Sequence, residues 1–232
     1  MWKKTRDMTR AEFYGGFATD AYCIRAVSDI LELLEPDDFI KQLLKEYPER
    51  LDSRELYADL VTVLFSISVI MSPKTYLEVG VRRGRSMAVV ASVCPECRIV
   101  GFDTWEPVYS GMPTPGPEFV VQELKKVGYK GCPVLISGDS HLMLQAYFST
   151  IGEDSRFDLI TVDGDHSHVG ATQDLLDVLP WLRVGGVIVF DDIVLVPHLR
   201  ESWRVVSEDP RFSCWEWTAN GYGVALAVKD RE

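Results

Sequence analysis

The chain has 232 residues, 47% hydrophobic and 25% charged, ordinary globular usage and enough for one sizeable core. Its 24 basic residues against 35 acidic ones leave a net charge of −11, a surface that repels phosphate backbones and argues against a nucleic-acid partner. No apolar run approaches the roughly 18 residues a membrane span needs, so no membrane partner is expected.

In chain order, the charged start Met1–Arg6 has no apolar segment behind it, which argues against a secretory signal. Cysteines at 23, 94, 97, 132 and 214 form an odd, sparse set that suits a reducing cytoplasm. Residues 1–72 read as helical. Phe39, Leu43 and Leu44 recur at helical spacing, Tyr47-Pro48 reads as a stop, and Leu56–Ile70 forms a more apolar helix. This segment is expected to be a cap or an oligomer contact, with a homo-oligomer as the expected state.

From Thr75 short β-branched runs alternate with helical stretches, the pattern of a doubly wound, mostly parallel α/β sheet occupying 73–232. Strands are expected at Tyr76–Val79, Arg98–Phe102, Val134–Ile136, Leu159–Val162 and Val187–Phe190. Helices are expected at Ser86–Val93, Phe119–Val127, His141–Ser149, Ala171–Leu182 and Pro197–Ser207. Phe212–Thr218 and Val224–Val228, joined by Asn220-Gly221, read as a closing antiparallel hairpin. Cys94-Pro95-Glu96-Cys97 reads as a helix-to-strand turn, since a structural zinc would need a second ligand pair.

The chemistry sits at the strand ends. Gly80 and Gly84 let the backbone turn and approach a ligand, although their spacing is not that of the dinucleotide fingerprint. Asp103, at the tip of the second strand, suits both hydroxyls of a ribose. Trp105 lies near a nucleobase or covers the sheet edge. Asp139 meets an adenine amino group, caps a helix, or does both. Asp163 ends the fourth strand, and Asp191 and Asp192 end the fifth. Neighbouring strands bring these carboxylates together, and three such charges repel one another unless a cation such as Mg²⁺ or Mn²⁺ is present; the alternative is that Asp191 and Asp192 only cap the next segment. His166 stands three residues beyond Asp163, one turn on if a helix begins there, and is placed to accept a proton. Asp165 holds that imidazole or binds substrate, and His168 is a weaker candidate for the same work.

Five motifs occur in register: Glu78-x-Gly80-x-x-x-Gly84-x-Ser86, Val100–Trp105, Gly138-Asp139-Ser140, Val162–Ser167 and Gly185–Asp192. Together, over residues 73–230, they resemble the class I S-adenosylmethionine-dependent methyltransferases, particularly the small bacterial group with macrolide-sugar and antibiotic O-methyltransferases and cephalosporin hydroxylase-type proteins. The resemblance implies a Rossmann-like seven-stranded sheet with its last strand antiparallel. It implies that Glu78, Gly80 and Gly84 line the methionine part of the cofactor, that Asp103 holds the ribose, that Asp139 and Ser140 flank the adenine, and that Ser86, Thr104 and Trp105 also belong to the cofactor-binding set. It further implies metal ligands at Asp163, Asp191 and Asp192, with Asp163 also beside the cofactor, and His166 as proton acceptor. The activity implied is methyl transfer to a hydroxyl of a small molecule, a sugar or other natural product. Arg82 and Arg83 depart from the small residues common in the glycine loop, and Glu106–Glu118 is idiosyncratic. The Trp105–Gly116 loop is a lid, with Trp105 and Tyr109 against substrate, or only a covering loop. The rival readings are an NAD-dependent oxidoreductase on a similar fold and a cofactor-binding protein without turnover.

Overall fold

The computed structural model describes residues 8–109, 111–152 and 155–232. The charged start Met1–Arg6 and the Tyr109 side chain lie outside the described residues. The helices are α1 (Arg10–Ala18), α2 (Ala21–Leu31), α3 (Asp38–Ser53), α4 (Leu60–Met71), α5 (Arg85–Val93), α6 (Pro117–Lys126), α7 (Ser140–Thr150), α8 (His168–Val178), α9 (Pro197–Ser202) and α10 (Arg204–Ser207). The strands are β1 (Thr75–Val79), β2 (Arg98–Asp103), β3 (Val108–Tyr109), β4 (Met112–Pro113), β5 (Val134–Ser137), β6 (Phe157–Val162), β7 (Leu182–Asp191), β8 (Phe212–Trp217) and β9 (Val224–Lys229).

Seven strands form one sheet in the order β5-β2-β1-β6-β7-β9-β8, while β3 and β4 pair separately. The five from β5 to β7 are parallel neighbours, and β9 runs antiparallel to both β7 and β8, the arrangement expected from the closing hairpin. Side chains alternate across the sheet with period two. Tyr76, Val187, Val189, Val224, Leu226 and Val228 enter one core, shared with α1, α2, α4 and α5. Leu77, Val79, Ile188, Phe190, Ala225 and Ala227 enter the other, under α7, α8, α9 and α10. Both faces are therefore covered, which is why the central strands read as unbroken apolar runs.

The N-terminal helices do not form a separate core. Helix α4 is apolar all round and buried from Leu60 to Ser68, as suits a helix packed on several sides. It starts at Leu60 rather than Leu56, because Asp59 and Thr62 form a reciprocal capping box. Helix α3 runs through Pro48 to Ser53, past the expected stop. A proline in a helix interior costs about 3 kcal/mol; here Tyr47 and Leu51, one turn apart, pack into the core and offset it. Helix α8 ends at Val178, short of the expected Leu182, where β7 already begins. The Cys94–Cys97 segment is the expected turn, closed by the Cys97 amide donating to the Cys94 carbonyl at 3.0 Å.

Candidate active site

All five parallel strands end at one edge of the sheet, and the order reverses between β1 and β6, so a crevice opens there. A cleft of 890 Å³ occupies it. Amides zip the strand ends together: Gly80 donates to the Phe102 carbonyl at 2.9 Å, Asp163 to Val79 at 2.8 Å, and Gly138 to Asp103 at 2.9 Å.

The β1–α5 loop needs its two glycines for different reasons. At Gly80 (φ +89°) a Cβ would lie 1.9 Å from the Asp163 carbonyl oxygen, so the loop can hug β6 only without one. At Gly84 (φ +73°) a Cβ would meet Val120 of α6 at 2.6 Å. Gly80 lines the cleft, whereas Gly84 serves packing. Glu78 and Ser86 lie beneath the loop rather than in the cleft wall. Glu78 is fully buried and accepts hydrogen bonds from the Ser86 hydroxyl and, at 2.8 Å, from Tyr76. Burial pushes its carboxyl up to about 8 despite those two donors.

Asp103 stands at the tip of β2 and lines the cleft with Thr104. The amides of Arg82 and Trp105 donate to its two oxygens at 2.7 and 2.6 Å, which fixes the carboxylate and leaves further lone pairs. The Trp105 indole packs on the hydrophobic core instead of lining the cleft. From the following β3–β4 hairpin region, Glu106 and Thr114 reach the cleft. Asp139 lines it too and caps α7, accepting from the His141 amide at 3.0 Å, and Ser140 follows beside it.

The acidic cluster forms where the ends of β6 and β7 meet. Asp192 has φ +61°, a left-handed turn just past β7. Its Oδ2 lies 3.1 Å from His166 Nε2, which is also 3.6 Å from Asp163 Oδ1. Among the described residues, Asp163, His166 and Asp192 offer ligand atoms within 4.8 Å of one another. Asp191 lines the cleft beside them without joining that group. Burial, then the charges of Asp163 and Asp192, push Asp191 well above the usual carboxylate range. Burial raises Asp163 as well. This gathering of half-buried carboxyl groups is the donor chemistry a hard divalent cation satisfies.

His166 lies on the loop before α8, whose first turn begins only at His168. The loop is pinned by the His198 ring, 2.6 Å from the His166 carbonyl oxygen. His168 faces Ser202, at 2.9 Å, and is absent from the cleft wall. Asp165 is directed not to His166 but to His141, at 3.7 Å. Burial opposes its ionisation, yet the Ser167 amide and hydroxyl and His141 hold it below the ordinary value.

Several cleft residues were not anticipated. Phe39, Gln42 and Glu46 of α3, with Tyr57 and Tyr222, form the wall opposite the strand ends. Arg82 and Arg85 carry guanidinium groups 5.7 and 4.7 Å from the Phe39 ring centre. A wall assembled from such distant segments has no local sequence signature. Buried Asp174 did have one: Ala171, Asp174, Leu175 and Val178 share the core stripe of α8, and an aspartate there breaks the apolar pattern.

A family model described as a methyltransferase domain matches residues 77–193. No curated protein matches the chain. Among solved structures, it is similar to the O-methyltransferase TomG from Streptomyces achromogenes, involved in tomaymycin synthesis and solved with SAM (18% identity, 96% of this chain and 99% of that one, TM-score 0.62). It is also similar to an O-methyltransferase from Bacillus cereus solved with SAH (18% identity, 90% and 97%, TM-score 0.60). A third is CalS11, a TDP-rhamnose 3'-O-methyltransferase of calicheamicin biosynthesis (17% identity, 97% and 99%, TM-score 0.58). At these identities the likeness is one of fold.

Proposed function

The chain belongs to the methyltransferase-domain family, whose model spans just over half of it, and on that premise we propose that it moves the methyl group of S-adenosylmethionine to a hydroxyl oxygen of a small acceptor, a sugar or other natural product. One observation carries the reading: the Asp163–His166–Asp192 group opens into the same cleft as Asp103, Asp139 and Ser140. Asp103 would hold the ribose hydroxyls, Asp139 and Ser140 would flank the adenine, and Gly80 and Asp163 would line the methionine end. In the reaction the acceptor oxygen bonds to the methyl carbon as the carbon–sulfur bond breaks. The bond's electron pair stays on sulfur, giving S-adenosylhomocysteine, and the hydroxyl proton goes to His166 Nε2. In-line alignment of oxygen, carbon and sulfur contributes up to roughly 7–11 kcal/mol in favourable cases.

Asp163 and Asp192, with Asp191 beside them, would hold Mg²⁺ or Mn²⁺. A bound cation lowers the pKa of a hydroxyl next to it. His166 belongs to the same three-residue group, so a second reading makes it a ligand instead of the proton acceptor. The two separate cleanly. As acceptor, His166→Ala leaves Mn²⁺ affinity intact while turnover falls roughly 10²–10⁴-fold; as ligand, Mn²⁺ affinity falls with turnover.

The main test is calorimetric titration with S-adenosylhomocysteine. Wild type is expected to bind, and Asp103→Asn to bind at least about tenfold more weakly, one charge-assisted hydrogen bond's worth. A wild-type protein that ignores S-adenosylhomocysteine but binds NADH would establish the oxidoreductase alternative. Tight binding with no methyl transfer to any of a broad panel of hydroxylated acceptors would favour a non-catalytic role. The same proposal places the protein in the cytoplasm, supported by five cysteines that are all free. It makes residues 1–72 a cap, supported by the α3 residues in the cleft wall. Exposed Phe13, Tyr22 and Leu33 support a homo-oligomer, which light scattering tests directly.

A further inference from the structure

Asp174 lies on α8, fully buried and outside the cleft wall, yet four cleft-lining residues converge on it. The Ser140 hydroxyl donates to its Oδ1 at 2.6 Å. The Asp165 amide donates to its Oδ2 at 3.4 Å. His141 Nδ1 lies 3.4 Å from Oδ1, and Gly164 is packed so closely that a Cβ there would stand 3.2 Å from Oδ2. Ser140 and His141 belong to the start of α7, whereas Gly164 and Asp165 belong to the β6–α8 loop. One carboxylate thus joins the start of α7 to the β6–α8 loop at the cleft wall.

Resting on the assignment of S-adenosylmethionine to this cleft, we infer that Asp174 is the positioning residue of the adenine subsite, and that it selects the base by fixing the polarity of Ser140. A serine hydroxyl has one proton and two lone pairs. With its proton committed to a buried carboxylate, Ser140 Oγ can only accept from a ligand. Adenine offers a donor, its exocyclic amino group, whereas the 6-oxo base of inosine presents an acceptor at the same place. Asp174 therefore turns an ambivalent hydroxyl into a reader of the amino group. An unmet or opposed polar contact in such a site is worth about a factor of ten.

The test compares S-adenosylhomocysteine with its deaminated counterpart S-inosylhomocysteine by calorimetry on the full chain. Wild type should prefer the adenine compound by about tenfold. Asp174→Ala frees the Ser140 proton, so the preference should fall toward parity, mainly by better tolerance of the inosine compound. Asp174→Asn keeps an oxygen that can accept from Ser140 and should keep most of the preference. Ser140→Ala should abolish the preference, and adding Asp174→Ala to it should change the ratio no further. A role confined to stability would lower both affinities and leave their ratio alone. The inference is overturned if folded Asp174→Ala retains the wild-type ratio. Should that variant fail to fold, an unchanged ratio in Ser140→Ala overturns it equally. Absence of any S-adenosylhomocysteine binding by wild type would instead refute the cofactor assignment beneath it.

Discussion

Glu78 is a carboxyl group held fully out of water with its hydrogen bonds met. It is sealed under the glycine loop with Tyr76 and Ser86 as donors, and burial still raises it to about 8. In the unfolded chain it titrates near its ordinary value of about 4.3. The folded state thus holds the proton more firmly. The stabilisation from this group is complete below the unfolded value and is lost as pH rises through about 8. Urea midpoints measured from pH 5 to 9 should fall with rising pH, and Glu78→Gln should flatten that fall by an amount on the order of a few kcal/mol. Asp163 and Asp191 shift in the same direction, so the difference between the two proteins, not the wild-type slope, isolates Glu78. Parallel curves would mean that Glu78 keeps the same charge in both states.

At the scale of elements, the glycine loop and α3 act as one unit. Arg83 reaches Asp37 at 3.4 Å and Glu35 at 3.8 Å, and its guanidinium lies 4.4 Å from the Phe119 ring centre. Arg82 and Arg85 meet Phe39. The arginines that replace small residues in this loop therefore fasten α3 over the cleft. Cation–π contacts contribute about 0.5–1 kcal/mol each when exposed and about 2 when desolvated, so Phe39→Ala should cost about 1–3 kcal/mol. Hydrogen exchange should locate the loss in α3, leaving β1 and β6 protected. Gly84→Ala should be worse than its size suggests, because a positive φ and the Val120 contact both oppose a Cβ. Trimming Val120 to Ala as well should recover part of the loss in thermal stability, but not the share due to the backbone. These elements also mark what was legible in the sequence. The strands and their tip residues Asp103, Asp139, Asp163 and Asp192 were readable, because a strand buried on both faces is a continuous apolar run and polarity begins where it ends. The α3 wall was not, because its partners Arg82, Arg85 and Tyr222 are remote in sequence. The extent of α3 was misread at Pro48 because a local stop signal takes no account of Tyr47 and Leu51 packing beyond it.

For the molecule as a whole, net charge and the acidic cleft make one argument. With a net charge of −11 the folded state carries repulsion that the extended chain lacks, and crowding of Asp163, Asp191 and Asp192 at one edge of the sheet opposes ionisation of the first two. Monovalent salt screens the exposed part of it over about 10 Å at 0.1 M, and reaches buried groups far less. A divalent cation held by the cluster would relieve the buried part, and any ligand confined to the native state stabilises by mass action, about 2.7 kcal/mol at a hundred times its dissociation constant. For a chain of this size that shifts the melting temperature by roughly 5–10 °C. Melting curves with MgCl₂ and with NaCl at equal ionic strength should therefore diverge, Mg²⁺ stabilising more, and Asp192→Asn should erase the difference. S-adenosylhomocysteine should add its own shift on top, one that survives Asp192→Asn and shrinks in Asp103→Asn, since the proposed arrangement puts the first residue at the cation and the second at the ribose. Equal curves in the two salts would remove the cation from the site while leaving the cofactor in place.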